Sequence, residues 1–137
     1  MKIKKQILLE KKFDYQSRII PSFNKETQDS TKNFSLNLGK FLVPDPEECY
    51  LVQVSGESMI DENIHDGDIL VVNKSEQPQN GKIVIASLNG EMAVKTFKET
   101  EEGVFLISAN KKFLPIKIAD YIEFKIQGVV KHVIKKM

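Results

Sequence analysis

The sequence predicts a mainly β protein: compact, twisted antiparallel β-sheets with a flexible N-terminal arm. Three observations carry that expectation. Short runs rich in Val, Ile, Leu and Phe recur at close spacing from Tyr50 to the C-terminus. Asn89-Gly90 joins two of these runs with the two-residue loop of a type I′ hairpin. Helix signals are confined to one short stretch before Tyr50.

Taken in order, residues 1–33 form the arm, extended and either flexible or cleavable. Their start, "MKIKKQILLEKK", is basic, and its apolar run Ile7-Leu8-Leu9 is too short for a signal peptide. Pro21–Asn33 has no apolar period. Residues 34–137 form one β-rich domain. It opens on "FSLNLGKFLV", which predicts a short helix with Ser35 as N-cap and Leu36, Phe41 and Leu42 buried. Gly39 weakens this helix and "PDPEE" stops it. Then come the strands "YLVQV" and "ILVVN", the second entered through Asp66-Gly67. "KIVIASL" and "EMAVKTF" flank the Asn89-Gly90 loop, and "GVFLISA", "FLPIKI" and "FKIQGVVKHVI" complete the set. Pro115 marks an edge or a strand start.

A chain of 137 residues is long enough for one domain with a core that needs neither disulfide nor metal. Twenty basic residues against 19 acidic ones give a net charge of +1, which is no electrostatic basis for binding nucleic acid over the whole surface. The lone Cys49 allows no intramolecular disulfide and reads as a small buried residue at a strand start, so a reducing, cytoplasmic location is expected. No stretch is apolar for long enough to span a membrane as a helix. His65 and His132 lack ligand-spaced partners, so no zinc site is expected. Asp61, Glu62, Asp66 and Asp68 do not follow the EF-hand spacing and read as turn caps. With no phosphate-cradling glycine loop either, no metal or cofactor is expected.

The chemistry concentrates in "VSGESMIDENIHDGDILVV". Gly56 permits a positive-φ turn in which amide groups converge beside Ser58. A nucleophilic serine needs such donors for its oxyanion, and it needs a base. Either histidine would complete a triad if the fold brought it near Ser58. Lysine is the other candidate, provided it is neutral. Moving an amine from ~10.4 to about 7 costs roughly 4 kcal/mol, which desolvation must supply. Lys95 in "MAVKTF" has the apolar strand context this requires, whereas Lys74, Lys82 and Lys98 sit at strand ends or beside a turn. On residue types alone, a lysine in a half-buried strand more often points to solvent, so the pair Ser58 and Lys95 is permitted by chemistry and not demanded by it.

"SGESMIDENIHDGDILVV" resembles the Ser-Gly-x-Ser-Met segment of the LexA/UmuD serine–lysine peptidases, with the Gly-Asp and strand that follow it. "GEMAVKTF" resembles the family's lysine strand, and Lys95 lies 37 positions after Ser58, a separation that suits the family. "SANKKFLPIKI" and "IQGVVKHVIKKM" are similar to its C-terminal strands. The resemblance implies the C-terminal peptidase fold of that family, with Ser58 as nucleophile and Lys95 as general base. It also implies an oxyanion hole from the amides of Glu57 and Ser58, and a site wall from Gly56, Met59 and Ile60. A homodimer built by the β domain is implied as well.

The segment ahead of Tyr50 is too short and too polar for a helix-turn-helix domain, which points to the UmuD branch and away from sequence-specific DNA binding. That branch implies a cut in the arm stimulated by a RecA filament on single-stranded DNA, and a processed form acting with an error-prone translesion DNA polymerase (UmuC-like) in the SOS response. A non-cleaving dimeric adaptor and a repressor-derived regulatory domain are the alternatives. The family is cut between a small residue, or Cys, and Gly, yet no Gly precedes Gly39 here. By position the bond falls in Ser17–Asn24, and the bond before Pro21 is disfavoured because proline offers no N–H.

Overall fold

A computed structural model describes residues 1–7, 19–20 and 35–137, the pair 19–20 through its backbone alone. The strands are β1 (Lys2–Ile7), β2 (Ile19–Ile20), β3 (Leu36–Asn37), β4 (Cys49–Ser55), β5 (Ile69–Asn73), β6 (Ile83–Leu88), β7 (Glu91–Thr100), β8 (Gly103–Ile107), β9 (Ile116–Lys117) and β10 (Phe124–Ile134). Among the described residues one α-helix, α1 (Leu38–Leu42), accompanies them. All pairings are antiparallel. The main sheet runs β1-β4-β5-β10-β6-β7-β8-β9, and Lys2 opposite Ala93 joins β1 back to β7. Six strands therefore close on themselves through that pairing, which covers part of the edge β1 would otherwise present. β8 and β9 continue outward from β7.

Period-two alternation sorts the side chains into cores. Val52, Val54, Leu70, Val72, Ile85 and Val94 point into one cluster with Met59 and Ile64. Val84, Ala86, Phe97, Leu106 and Val129 form a second cluster. Val43, Cys49 and Val71 form a third. Strands β5 and β6 thus bury both faces and read as nearly continuous apolar runs for that reason, while β7 buries Val94 on one face and Phe97 on the other.

The Asn89-Gly90 loop has φ of 49° and 86°, both positive as a type I′ turn requires. β10 carries an extra residue opposite β6, because Ile126 faces Ala86 while Gly128 faces Ile85. The Gln127 carbonyl at this bulge accepts a hydrogen bond from Tyr50 Oη at 3.0 Å. Pro115 directly precedes β9, the last strand of the sheet order.

The helix departs from expectation in three respects. Its N-cap is Asn37, whose side chain accepts from the Lys40 amide at 3.1 Å, and not Ser35. Leu36 is extended in β3, paired with Ile20. Phe41 is 54% exposed, and its ring lies 5.5 Å from that of His132. A five-residue helix has too few turns to bury a full apolar stripe. Within the arm, Lys2–Ile7 is a sheet strand, while the proposed cut region Ser17–Asn24 falls, apart from the backbone of Ile19–Ile20, outside the described residues.

Candidate active site

β4 ends at Ser55, and the chain turns through Gly56 at φ +101°, where a side chain would be strained. The Gly56 amide donates to Asp66 Oδ1 at 2.9 Å. The turn then drives Ser58 (3% exposed) and Met59 (fully buried) inward, while Glu57 stays exposed and Ile60 lies at the rim. A 3₁₀ turn, Ile60–Glu62, leads to Asn63 in the left-handed region and to buried Ile64. Asp68 accepts from the His65 amide at 2.8 Å and from Lys135. Burial opposes ionisation of Asp68, but those hydrogen bonds outweigh it and hold the carboxyl below its ordinary range. The acids expected to cap the turn include two, Asp66 and Asp68, that do so.

Lys95 lies in β7 opposite Val84 and is only 8% exposed, whereas Lys74, Lys82 and Lys98 are exposed. Burial lowers the Lys95 pKa, the condition a lysine base must meet. Its Nζ donates to Ser108 Oγ at 2.6 Å and stands 5.9 Å from the centroid of the Phe113 ring.

A third group shares the site. The Met1 α-amine donates to Ser58 Oγ, and the Met1 carbonyl accepts from the Val94 amide at 2.9 Å. Burial, then the charges of Lys95 and Lys2, lower this amine from 8.0 to about 6. Met1 thus links the two residues: its amine is bonded to Ser58 Oγ, and it lines the same cavity as Lys95. That cavity, of about 550 Å³, is lined by Met1, Ile3, Met92, Ala93, Lys95 and Ile116, among others.

The strip Ser108-Ala109-Asn110 binds the two halves of the site together. Ser108 holds Lys95. The Ala109 amide donates to Met59 Sδ at 3.3 Å, and its carbonyl accepts from the Asp61 amide at 2.7 Å. Asn110 Nδ2 donates to the Glu57 carbonyl at 2.9 Å. In the sequence this strip shows only as part of a C-terminal strand. The available signal was alternation: Leu106, Ser108 and Asn110 are all buried at period two, so two polar side chains continue an inward apolar face.

The histidine alternatives are not assembled. His65 is exposed, with Nδ1 3.0 Å from Lys135 Nζ, and His132 faces Phe41. Among the described residues no group of three or more His, Cys, Asp or Glu is placed to hold a metal, and no helix is long and apolar enough to cross a membrane.

A buried serine in a glycine turn and a desolvated lysine on a β-strand are the residue types a serine–lysine peptidase domain requires. Residues 17–131 match the Peptidase S24-like family, and the chain belongs to that family, the one that contains LexA and UmuD. It is similar to LexA repressor 1 of Xanthomonas oryzae pv. oryzae, at 39% identity over 80 residues, 58% of this chain and 40% of that protein. It is similar also to the LexA repressor of Colwellia psychrerythraea, at 40% identity over 66% of this chain and 43% of the relative. For the LexA repressor of Photorhabdus laumondii the identity is 42%, over 53% and 36% respectively. The matched part thus spans about two fifths of these relatives' length.

Proposed function

We propose that this chain is a UmuD-like, self-cleaving serine–lysine peptidase of the SOS response. Its processed form acts in the cytoplasm, as a homodimer, with an error-prone translesion DNA polymerase. One observation supports the reading: Ser58 and Lys95 are both buried, Met1, whose amine is bonded to Ser58 Oγ, lines the same cavity as Lys95, and burial lowers the Lys95 pKa.

In this reading an extended peptide segment takes the place held by the Met1 amine. Neutral Lys95 accepts the Ser58 proton as Oγ attacks the scissile carbonyl. The oxyanion rests on the amides of Glu57 and Ser58, which engage no hydrogen-bond acceptor among the described residues. Asn110 supports that role. The Glu57 carbonyl and the Ser58 amide belong to one trans peptide plane, so fixing the carbonyl aims the N–H the opposite way. Lys95 then returns its proton to the leaving amine, and water hydrolyses the acyl-enzyme. Gly56, Met59 and Ile60 shape the wall. A RecA filament would promote the productive docking of the arm.

The test is incubation at alkaline pH, or with RecA filaments on single-stranded DNA, followed by intact mass. Loss of an N-terminal piece that stops in Ser58→Ala and Lys95→Ala supports the reading. Persistence of the intact mass under both conditions overturns it. A second reading, a repressor-derived regulatory domain, draws on the names of the relatives. It requires sequence-specific DNA binding by the protein, and a flat gel-shift at low salt would remove it.

A further inference from the structure

We infer that Ser108 is a positioning residue for Lys95, the third member of the site rather than a packing residue. This rests on the peptidase reading for its consequence, but its geometry stands alone. Ser108 and Lys95 are both more than nine-tenths buried, and their side chains meet at 2.6 Å. A buried lysine keeps several torsions free unless something fixes its end. The Ser108 hydroxyl accepts one Nζ hydrogen, and in the neutral amine that leaves the lone pair to be aimed elsewhere. Met1, whose amine is bonded to Ser58 Oγ, lines the same cavity as Lys95.

The other groups around Lys95 do not replace this contact. Phe113 offers only a ring face at 5.9 Å, and from β6 the facing partner is apolar Val84. The charged groups that line the same cavity as Lys95 are the Met1 amine, Lys2 of β1 and Glu91 of its own strand. Among the described residues none of these is hydrogen-bonded to Lys95 Nζ. Among the described residues Ser108 is therefore the hydroxyl that both orients the amine and stabilises its protonated form.

The test follows Lys95 itself, in full-length protein, by the ¹³Cε shift of labelled lysine across pH, and separately the pH dependence of Ser58 labelling by a fluorophosphonate probe. Removing the acceptor in Ser108→Ala lowers the Lys95 midpoint by about one pH unit, since a hydrogen bond to a cation is worth that much. The labelling plateau falls about tenfold at the same time. Ser108→Thr, which keeps the hydroxyl, restores both. If Ser108→Ala does not fold, Ser108→Cys, with a weaker acceptor, is expected to move both readouts in the same direction. An unmoved Lys95 midpoint in Ser108→Ala or Ser108→Cys overturns the inference even in a protein that labels. A wild-type protein inert to the probe refutes the peptidase reading, while the lysine titration still decides on Ser108.

Discussion

Replacing Asn110 separates orientation of the nucleophile turn from stability of the fold. Its Nδ2 holds the Glu57 carbonyl at 2.9 Å, and its Oδ1 accepts from the Lys112 amide at 3.0 Å. Asn110→Ala removes both. Glu57 is exposed, so water can satisfy its carbonyl, and the net loss is about 1–2 kcal/mol for two hydrogen bonds. For a chain of this size that lowers Tm by about 3–7 °C. The catalytic loss is larger. Deleting an oxyanion donor outright costs about 10²–10³ in rate. Asn110→Ala keeps the Ser58 N–H but frees its peptide plane, so the expected loss is about 10- to 100-fold. Asn110→Asp keeps the acceptor for Lys112 and sets a carboxylate against the Glu57 carbonyl, so it should be slower than Asn110→Ala. The assay is single-turnover self-cleavage at alkaline pH, at least 15 °C below each variant's measured Tm. Rates within twofold of wild type for Asn110→Ala, or an Asp variant faster than the Ala variant, would refute the peptide-plane argument.

Two further predictions concern the scaffold. A Cβ at Gly128 would stand 2.5 Å from Val72 Cγ1 and 2.9 Å from the Asn73 carbonyl oxygen, and Val72 is fully buried, so Gly128→Ala should cost about 2–3 kcal/mol. Thermal melts check this, and a Tm within 2 °C of wild type would contradict it. The Asp68 carboxyl, lowered in the folded state, adds stability that is present above its unfolded pKa of ~3.9 and is lost as pH falls through the lower folded value. Lys135→Met removes its partner, so it should cost about 1–3 kcal/mol at pH 7 and move the acid-unfolding limb to higher pH. Urea midpoints from pH 3 to 7 measure both effects, and an unchanged midpoint at pH 7 would rule out a stabilising pair.

How much was legible in the sequence depended on whether local pattern or tertiary contact decided the outcome. The β4–β7 and β10 strands follow from apolar runs and from Asn89-Gly90, where backbone preference and fold agree. β1 was not legible. Its Ile3 and Ile7 are separated by lysines, and the register shift between Ile3 and Lys5 breaks the period-two signal. The burial of Lys95 was not decided by its neighbours either. Val94 packs into one core and Phe97 into another, so β7 has no solvent face at that point, a fact that only the closed sheet supplies. Ser108 and Asn110 acquire their partners from residues far away in the chain, and no local spacing announces such contacts.

The seating of β1 bears on what a cut would achieve. Lys2–Ile7 is paired at five positions with β4 and at one with β7, and Met1 is part of a core. A break anywhere in Ser17–Asn24 would sever the chain beyond that strand. The upstream piece would then be a nicked subunit's retained fragment, gripped by its own ladder of hydrogen bonds, rather than a peptide set free. The closed sheet would persist after cleavage, and full release would need β1 to be stripped out as well. Native mass spectrometry of the cut protein should show the uncut mass plus one water, and denaturing conditions should split it in two. Prompt loss of the fragment under native conditions would mean that β1 leaves with it and that the sheet reopens at β4 and β7.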